Sequence, residues 1–558
     1  MKKLFLLLFL FLSVASRTFA RTPLMPVEDL KAGMRGYAKT VISGDTIETF
    51  PVEVLGVTGS DSMGYQILIR AGGDVIARSG GIAQGMSGSP VYIDGRLAGA
   101  IAYGKAFTDP HYCLLTPIHD MLDILDKPEP HRAVSPSLLP KGTPLLAGGF
   151  TPAGISVLEE GLEPFGLTVA DTGASGTASS AKDLEPGSSV GAALIQGDLT
   201  LGALGTVTWT DEQGRILAFG HPFMSRGAAD FFLTKTWVLA SLPNLQAAYK
   251  IGNIGAAAGT FSQDRGAGVA GQIGRLPAYI PMYVSASDST RSQNGSARVK
   301  LVNDEQLAHK LAASVLVSQA AKTVDHGKGG SARIRFDITA RDEKGELLHI
   351  SRDNMYYDKE SVVKPLPAEL QETVQVLLQN KLEKVRITNI DVNVDASTEA
   401  LIAEIKKVSV QEKEPKPGDT IHLQVTLKPY REKEFVRTVA YKLPKDAGGE
   451  VRLNVRGGAS MAWVQELLRK QKEGEEDRAK KEEKKKDVKL SDYIREVNQA
   501  DRNNDIIVEF APDHRQKAAR EEEEEESLAA LLKGGRNKQS VAIDYIVDGE
   551  QKVTVRLP

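Results

Sequence analysis

Six residues, Gly85-Met86-Ser87-Gly88-Ser89-Pro90, set a hydroxyl among small neighbours in a form suited to acyl transfer. A serine on a tight turn can meet a carbonyl carbon only when nothing bulky flanks it. Gly85 lets the backbone turn so that its own N–H and that of Ser87 aim at one point. An oxyanion forming at that point would be stabilised, and each such donor lowers the barrier by roughly 2.7–4 kcal/mol. Ser87, in the middle of the turn, is the expected nucleophile. Ser89 is the weaker choice because Pro90 stiffens the exit. The same residue types also make an ordinary β-turn between two strands.

A serine hydroxyl needs a base within hydrogen-bond reach. Among nine histidines, His221 has the most telling setting. It ends the apolar run 215–220 and stands between Gly220 and Pro222, which fix a sharp exit and leave the ring at a strand end. His111 and His119 are closer to Ser87 in sequence, but His119 reads as a helix-surface residue. A carboxylate that orients the imidazole could be Asp74, Asp264 or Asp230, and a Ser–His dyad could act without one. Asp74 after Gly72-Gly73 also reads as a plain turn residue.

Other chemistries find less support. Residues 252–259 (Gly-Asn-Ile-Gly-Ala-Ala-Ala-Gly) lack the Gly-x-Gly start and βαβ context of a dinucleotide loop. No close His/Glu pair and no cysteine cluster suggests a metal site, so neither a metal nor another cofactor is expected. The single cysteine, Cys113, cannot form an internal disulfide and reads as packing within a strand.

The elements that must position these residues are mainly β. Short apolar runs at 50–57, 65–70 and 91–93 alternate with glycine turns, and Asp94-Gly95 is a strong hairpin signal. Their spacing fits a small barrel closed by a helix over 117–125. Strands at 203–209 and 215–220, divided by a turn at Gly214, open a second β region, with more short strands expected to about 285. Residues 286–385 read as α+β, with helices over 304–322 (capped by Asn303) and 368–384. Alternation over 386–457 suggests a β-sandwich. The remainder, 458–558, holds a Lys/Glu tract at 470–489, an acidic run at 521–526 and a terminal hairpin (540–547, 551–557) turning at Asp548-Gly549. The charged tract reads as solvated helix or linker.

The chain has 558 residues, enough for several domains, and a net charge of −3. Residues 1–20 read as a secretory signal peptide: Lys2-Lys3, an apolar run from Leu4 to Val14, and small residues ending at Ala20. Cleavage there removes Lys2, Lys3 and Arg17 and takes the charge from −3 to −6. Mild acidity argues against a nucleic-acid partner. No later run is long enough for a transmembrane anchor. The expected location is therefore periplasmic, cell-surface or extracellular.

Residues 80–122 resemble the nucleophile region of the SpoIVB serine peptidases, trypsin-like enzymes of sporulation signalling. The resemblance rests on Gly80-Gly81-Ile82-Ala83-Gln84 leading into the serine turn, then Asp94-Gly95-Arg96-Leu97-Ala98-Gly99-Ala100 and Met121-Leu122. Phe50-Pro51-Val52-Glu53-Val54 is also similar to their pattern. Gly205-Thr206-Val207-Thr208 through Ala218-Phe219-Gly220-His221 resembles the segment with the family's catalytic histidine. Phe261-Ser262-Gln263-Asp264-Arg265 is similar to its Phe-Ser-x-Asp-Arg element.

In that family the histidine half comes first; here the serine half does, which reads as a circular permutation of two barrels over 21–285. Triads are set by geometry and not by chain order. The family's aspartate lies shortly before the serine, and Asp74 is the nearest match, with a spacing to Gly80 two residues shorter. No PDZ-type segment is evident. The resemblance implies an exported serine endopeptidase acting on cell-envelope polypeptides. Ser87 would attack, His221 would move the proton, Asp74 would orient the ring, and the N–H groups of Gly85 and Ser87 would hold the oxyanion. The C-terminal β region would recruit envelope proteins. The alternative is a catalytically inactive scaffold or binding protein that keeps the peptidase fold.

Overall fold

A computed structural model describes residues 22–60, 64–104, 108–126, 144–172, 179–244, 247–325, 327–461, 489–510 and 537–558. The signal peptide read at 1–20, most of the Lys/Glu tract and the acidic run lie outside these residues. The chain is mainly β. It divides into two compact units: Met1–Thr143, Thr177–Ala192 and Ala203–Pro277 form one, and Pro144–Gly176, Ala193–Gly202 and Ala278–Pro558 the other.

In the first unit, β1 (Arg35–Thr40), β2 (Glu48–Ser60), β3 (Gly64–Ala71), β4 (Pro90–Ile93), β5 (Arg96–Tyr103) and β6 (Tyr112–Pro117) form a closed barrel in the order β1-β2-β3-β6-β5-β4. Alternation builds it: Ile67 and Ile69 of β3 point inward while Leu68 is exposed. β4 and β5 meet at Asp94 (φ 49°) and Gly95 (φ 74°), a two-residue hairpin with both residues left-handed. Phe50, Val54, Ile67, Ile69, Leu115 and Cys113 fill the interior, and Met86 of the serine turn is buried with them.

Two helices flank this barrel. α1 (Gly73–Ser79) ends at Gly80, whose φ of 74° stops the helix while its N–H reaches Ala77 O. α2 (Ile118–Asp126) follows β6 as expected, with His119 exposed.

Beyond the first barrel come β7 (Leu145–Gly148), α3 (Pro152–Leu162) and β8 (Val169–Asp171), then β9 (Ser189–Gly197), β10 (Thr200–Thr210), β11 (Arg215–Ala218), β12 (Gly227–Leu242), β13 (Tyr249–Arg265) and β14 (Gly268–Ile273). The order β9-β12-β13-β14-β11-β10 returns on itself through a β9–β10 pairing, so these six strands also form a ring. The expected short strands beyond 251 are instead two long partners of sixteen and seventeen residues, β12 and β13. Register shifts between them let such long strands bend. Residues 252–259 lie inside β13, paired to β12 through Ala257, Ile254, Asn253 and Gly252. That is a strand and not a phosphate-binding loop.

The second unit holds β15 (Tyr279–Asp288), β16 (Gln293–Val302), α4 (Ala308–Val324), β17 (Gly330–Arg341), β18 (Leu347–Asp358), α5 (Pro367–Gln379) and β19 (Arg386–Ser397), with sheet order β18-β17-β19-β15-β16. Asn303 does not cap α4: the helix starts later, at Ala308, with Leu307 at its N-cap and no side-chain cap, and Asp304 Oδ1 accepts the N–H of Gln306 and Leu307 in the turn that leads into it. β19, expected in the sandwich, instead pairs parallel to β15 and antiparallel to β17.

The sandwich itself combines β20 (Ile402–Val410), β21 (Thr420–Pro429), β22 (Phe435–Lys442), β23 (Glu450–Gly457), β24 (Asp505–Phe510), β25 (Gln539–Ala542), β26 (Ile546–Asp548) and β27 (Glu550–Arg556). Its sheets run β22-β21-β20-β26 and β25-β24-β23-β27, and α6 (Leu490–Gln499) precedes β24. Asp548-Gly549 does turn the chain, but β26 joins β20 and β27 joins β23. The turn crosses between sheets, because each strand then buries its apolar side (Val547, Val555) in the shared core. Among the described residues, no helix is long and apolar enough to cross a membrane.

Candidate active site

The serine turn is held at nearly every peptide. Gln84 N–H donates to Ala248 O (2.7 Å), Met86 N–H to Ala83 O (3.0 Å), Gly88 N–H to Ile101 O (2.7 Å) and Ser89 N–H to Met86 O (2.9 Å). Gly85 (φ 90°) and Gly88 (φ 91°) take the left-handed conformations that make the turn tight. Among the described residues, no acceptor takes the N–H of Gly85 or the N–H of Ser87. Those are the two groups that the sequence assigns to an oxyanion.

The histidine turn is built from strain. β11 ends at Ala218, and Phe219 (φ 68°) and Gly220 (φ 66°) are both left-handed, which swings His221 away from the strand line. A non-glycine residue at positive φ is uncommon and needs outside support. Phe219 has it: its ring lies 6.2 Å from both Phe223 and Phe261. Thr116 Oγ1 donates to Gly220 O (2.5 Å). Asp264, fully buried, accepts N–H bonds from Phe223 (2.7 Å), Met224 (2.8 Å) and Arg226 (3.1 Å), pinning the loop that follows. Burial raises its pKa against the pull of those three donors.

The His221 ring nitrogen Nδ1 lies 2.7 Å from the Pro222 carbonyl oxygen. A carbonyl only accepts, so Nδ1 carries the proton and Nε2 presents its lone pair. Burial pushes the pKa of His221 down to about 4, opposed by the bond to Pro222. The imidazole is therefore neutral at neutral pH and in the tautomer of a base. The rings of Phe219 and Tyr103 stand 6.0 and 6.1 Å from it, and Tyr103 Oη donates to Gly266 O (3.0 Å).

Strand β10 is tied to both the serine turn and the histidine turn. Thr206 N–H donates to Ser87 O (2.8 Å), Thr206 Oγ1 to Gly85 O (3.0 Å) and Thr208 Oγ1 to Gly88 O (2.8 Å). Phe219 N–H in turn donates to Thr206 O (3.3 Å). Ser87 is 5% exposed and His221 3%. Ser87 Oγ, Ser89 Oγ and His221 Nε2 are buried with no hydrogen-bond partner among the described residues.

The other sequence-derived residues lie elsewhere. Asp74 sits on α1 with its side chain 83% exposed, and its carboxylate accepts from Arg78 Nε (2.8 Å). No described carboxylate bonds to His221. Asp230 accepts from Thr260 Oγ1 (2.9 Å), and His111 lies on Asp109 (2.6 Å). Among the described residues no cluster of His, Cys, Asp and Glu could hold a metal ion.

Sequence reasoning missed Thr206 and Thr208, whose hydroxyls tie the serine turn. It also missed Lys250. This side chain is 0% exposed, and its Nζ donates to Thr40 Oγ1 (3.1 Å). Burial pushes its pKa down to about 7. The only signal was a lysine inside an otherwise apolar strand start, Ala248-Tyr249-Lys250-Ile251.

Residues 17–121 match the family model described as SpoIVB peptidase S55. The matched segment holds the first barrel and the whole serine turn; His221 lies outside it. No curated protein and no solved structure matches the chain. Residues 17–121, about a fifth of the chain, are similar to the SpoIVB serine peptidases.

Proposed function

We propose that the protein is a serine endopeptidase in which Ser87 and His221 act together. The observation that carries this reading is the pair of backbone N–H groups, Gly85 and Ser87, left without acceptors in the same turn as an unpartnered hydroxyl, that of Ser87. Every neighbouring N–H from Gln84 to Ser89 is taken, apart from these two. In the reaction, Ser87 Oγ forms a bond to the scissile carbonyl carbon while its proton passes to His221 Nε2. The carbonyl oxygen becomes an oxyanion between the two N–H groups. Collapse breaks the C–N bond, and the leaving amine takes the proton from Nε2. Water then releases the acyl group by the same path in reverse.

The Pro222 carbonyl fixes the tautomer, the part of an orienting carboxylate's role that geometry alone can supply. The family's aspartate role, given to Asp74 as the nearest match despite its shorter spacing, has no support from its contact with Arg78. The serine-first order is read as a permutation of the family's order. The N-terminal segment supports export, which makes polypeptides of the cell envelope the expected substrates and the C-terminal sandwich their recruiting surface.

A second reading, an inactive scaffold, is favoured by one observation: Ser87 and His221 are enclosed and no carboxylate meets the imidazole. A fluorophosphonate probe on purified protein separates the two. Labelling of the wild type that is lost in Ser87→Ala and His221→Ala but kept in Ser89→Ala supports the peptidase. No labelling of well-folded wild type under any condition supports the scaffold.

A further inference from the structure

The stem of Lys250 lies across Gly85. A Cβ built on Gly85 would stand 3.1 Å from Lys250 Cδ, 3.2 Å from its Cβ and 3.3 Å from its Cγ, so the lysine occupies the space where a side chain of residue 85 would go. The backbone on either side grips the preceding residue. Gln84 N–H donates to Ala248 O (2.7 Å), and Lys250 N–H donates to Gln84 O (2.9 Å). Beyond the stem, Nζ is tied to Thr40 Oγ1 at the end of β1 (3.1 Å). On the other side of the turn, Thr206 Oγ1 holds Gly85 O (3.0 Å).

A lysine is an expensive way to fill this space. Burying an amine without a charged partner disfavours its protonated form, and burial alone accounts for the fall of this pKa to about 7. A methionine would fill a similar volume without that cost, so the amine's bond to Thr40 is the feature that distinguishes lysine here. That bond fixes the direction of a flexible four-carbon chain. A stem anchored at its far end can bear on Gly85 as a rigid strut.

We infer that Lys250 is a positioning residue for the oxyanion-binding turn, its stem braced between Thr40 and Gly85 so that the Gly85 N–H keeps its aim. This rests on the peptidase reading for its catalytic consequence, but not for its structural one. Lys250 touches no reacting atom; it acts through Gly85.

The test uses the full mature chain and two measurements. Amide hydrogen exchange across 82–89 reads the turn without reference to catalysis. Lys250→Ala is expected to speed exchange there by about tenfold while protection in β2 and β3 is unchanged, the signature of local opening. The fluorophosphonate supplies the second measurement. A misaimed donor lowers the rate of bond formation and not the encounter, so Lys250→Ala should cut the maximal labelling rate by about tenfold with half-saturation within about twofold. Lys250→Met, which restores the stem but not the tie, should recover part of both losses.

Unchanged exchange in the turn of Lys250→Ala overturns the inference, as does a methionine variant no better than alanine. If Lys250→Ala does not fold, Lys250→Met decides: exchange in the turn faster than wild type but slower than in denatured chain is expected, and exchange equal to wild type removes any role for the Thr40 tie. If wild type never labels, the peptidase reading fails, and the exchange experiment still judges the strut.

Discussion

Gly88 and Phe219 meet backbone to backbone. A methyl group on Gly88 would overlap the Phe219 amide nitrogen and the Thr206 carbonyl oxygen, and would stand 3.0 Å from Phe219 Cα. One glycine thus sets the separation between the serine turn and the histidine turn. Gly88→Ala adds both this overlap and the strain of a side chain at φ 91°. Overpacking and positive-φ strain together should cost about 2–5 kcal/mol. Urea unfolding should show the loss, and labelling of Ser87 should vanish even where the variant stays folded.

The contact between Asp74 and Arg78 yields a sharp kinetic expectation. An aspartate that orients a catalytic histidine is worth about 10⁴ in rate, as the serine-protease precedent shows. Asp74 is exposed and bound to Arg78, so Asp74→Asn should change the labelling rate by less than about threefold, since surface ion pairs contribute little. A drop of several orders of magnitude would mean that this helix docks on His221 in the working state.

The pH dependence of labelling follows from His221. Its folded pKa of about 4 lies below the ordinary 6.5. The base form is the neutral one, so the rate should hold constant as pH falls from 8 past 6, and then drop in proportion as the ring takes a proton near 4. The stability sign runs the same way. The unfolded chain binds this proton below about 6.5 and the folded chain does not until about 4. Stability from this residue is therefore full above 6.5 and is lost as pH falls to 4, by roughly 3 kcal/mol. Denaturant midpoints of wild type and His221→Phe, compared at pH 7 and pH 4.5, would read this difference.

Lys250 gives a slope at the alkaline end. Its folded pKa of about 7 lies below the ordinary 10.5. Between those values the unfolded chain holds a proton that the folded chain lacks. Stability from this residue therefore declines as pH falls from 10.5 to 7, by up to roughly 5 kcal/mol, and levels off below. Lys250→Met should remove that slope. It should be more stable than wild type at pH 7, and the gap should narrow by pH 10. Equal midpoints for the two proteins at pH 7 would show that the amine is paired or solvated.

Local chemistry made part of this legible. Asp94-Gly95, the alternation of Ile67, Leu68 and Ile69, and the strand–turn before His221 are decided by residues adjacent in sequence, and the structure has them where the patterns point. The small residues around Ser87 announced a tight turn because only glycine accepts its φ values. What escaped was decided at a distance. Alternation marks 386–397 as a strand but does not choose its partners, and β15 and β17 win it from the sandwich. The seven-residue α1 depends on Gly80 to end it, with a pattern too short to read. The helix expected from 304 begins only at Ala308, because Asp304 first closes a turn on Gln306 and Leu307. Lys250 gave no reading from the sequence because its burial is imposed by Thr40 and Gly85, far away in the chain.

The enclosure of Ser87 and His221 has a kinetic corollary. With Ser87 Oγ and His221 Nε2 both buried, a peptide substrate would have to wait until the surrounding turns part. On the proposed chemistry, throughput equals the intrinsic rate multiplied by the fraction of molecules that are parted at any moment. A ligand that bound only the parted form would switch the enzyme on without contributing an atom to catalysis. Such a hydrolase would be idle in its ground state and would work in its rarer conformations.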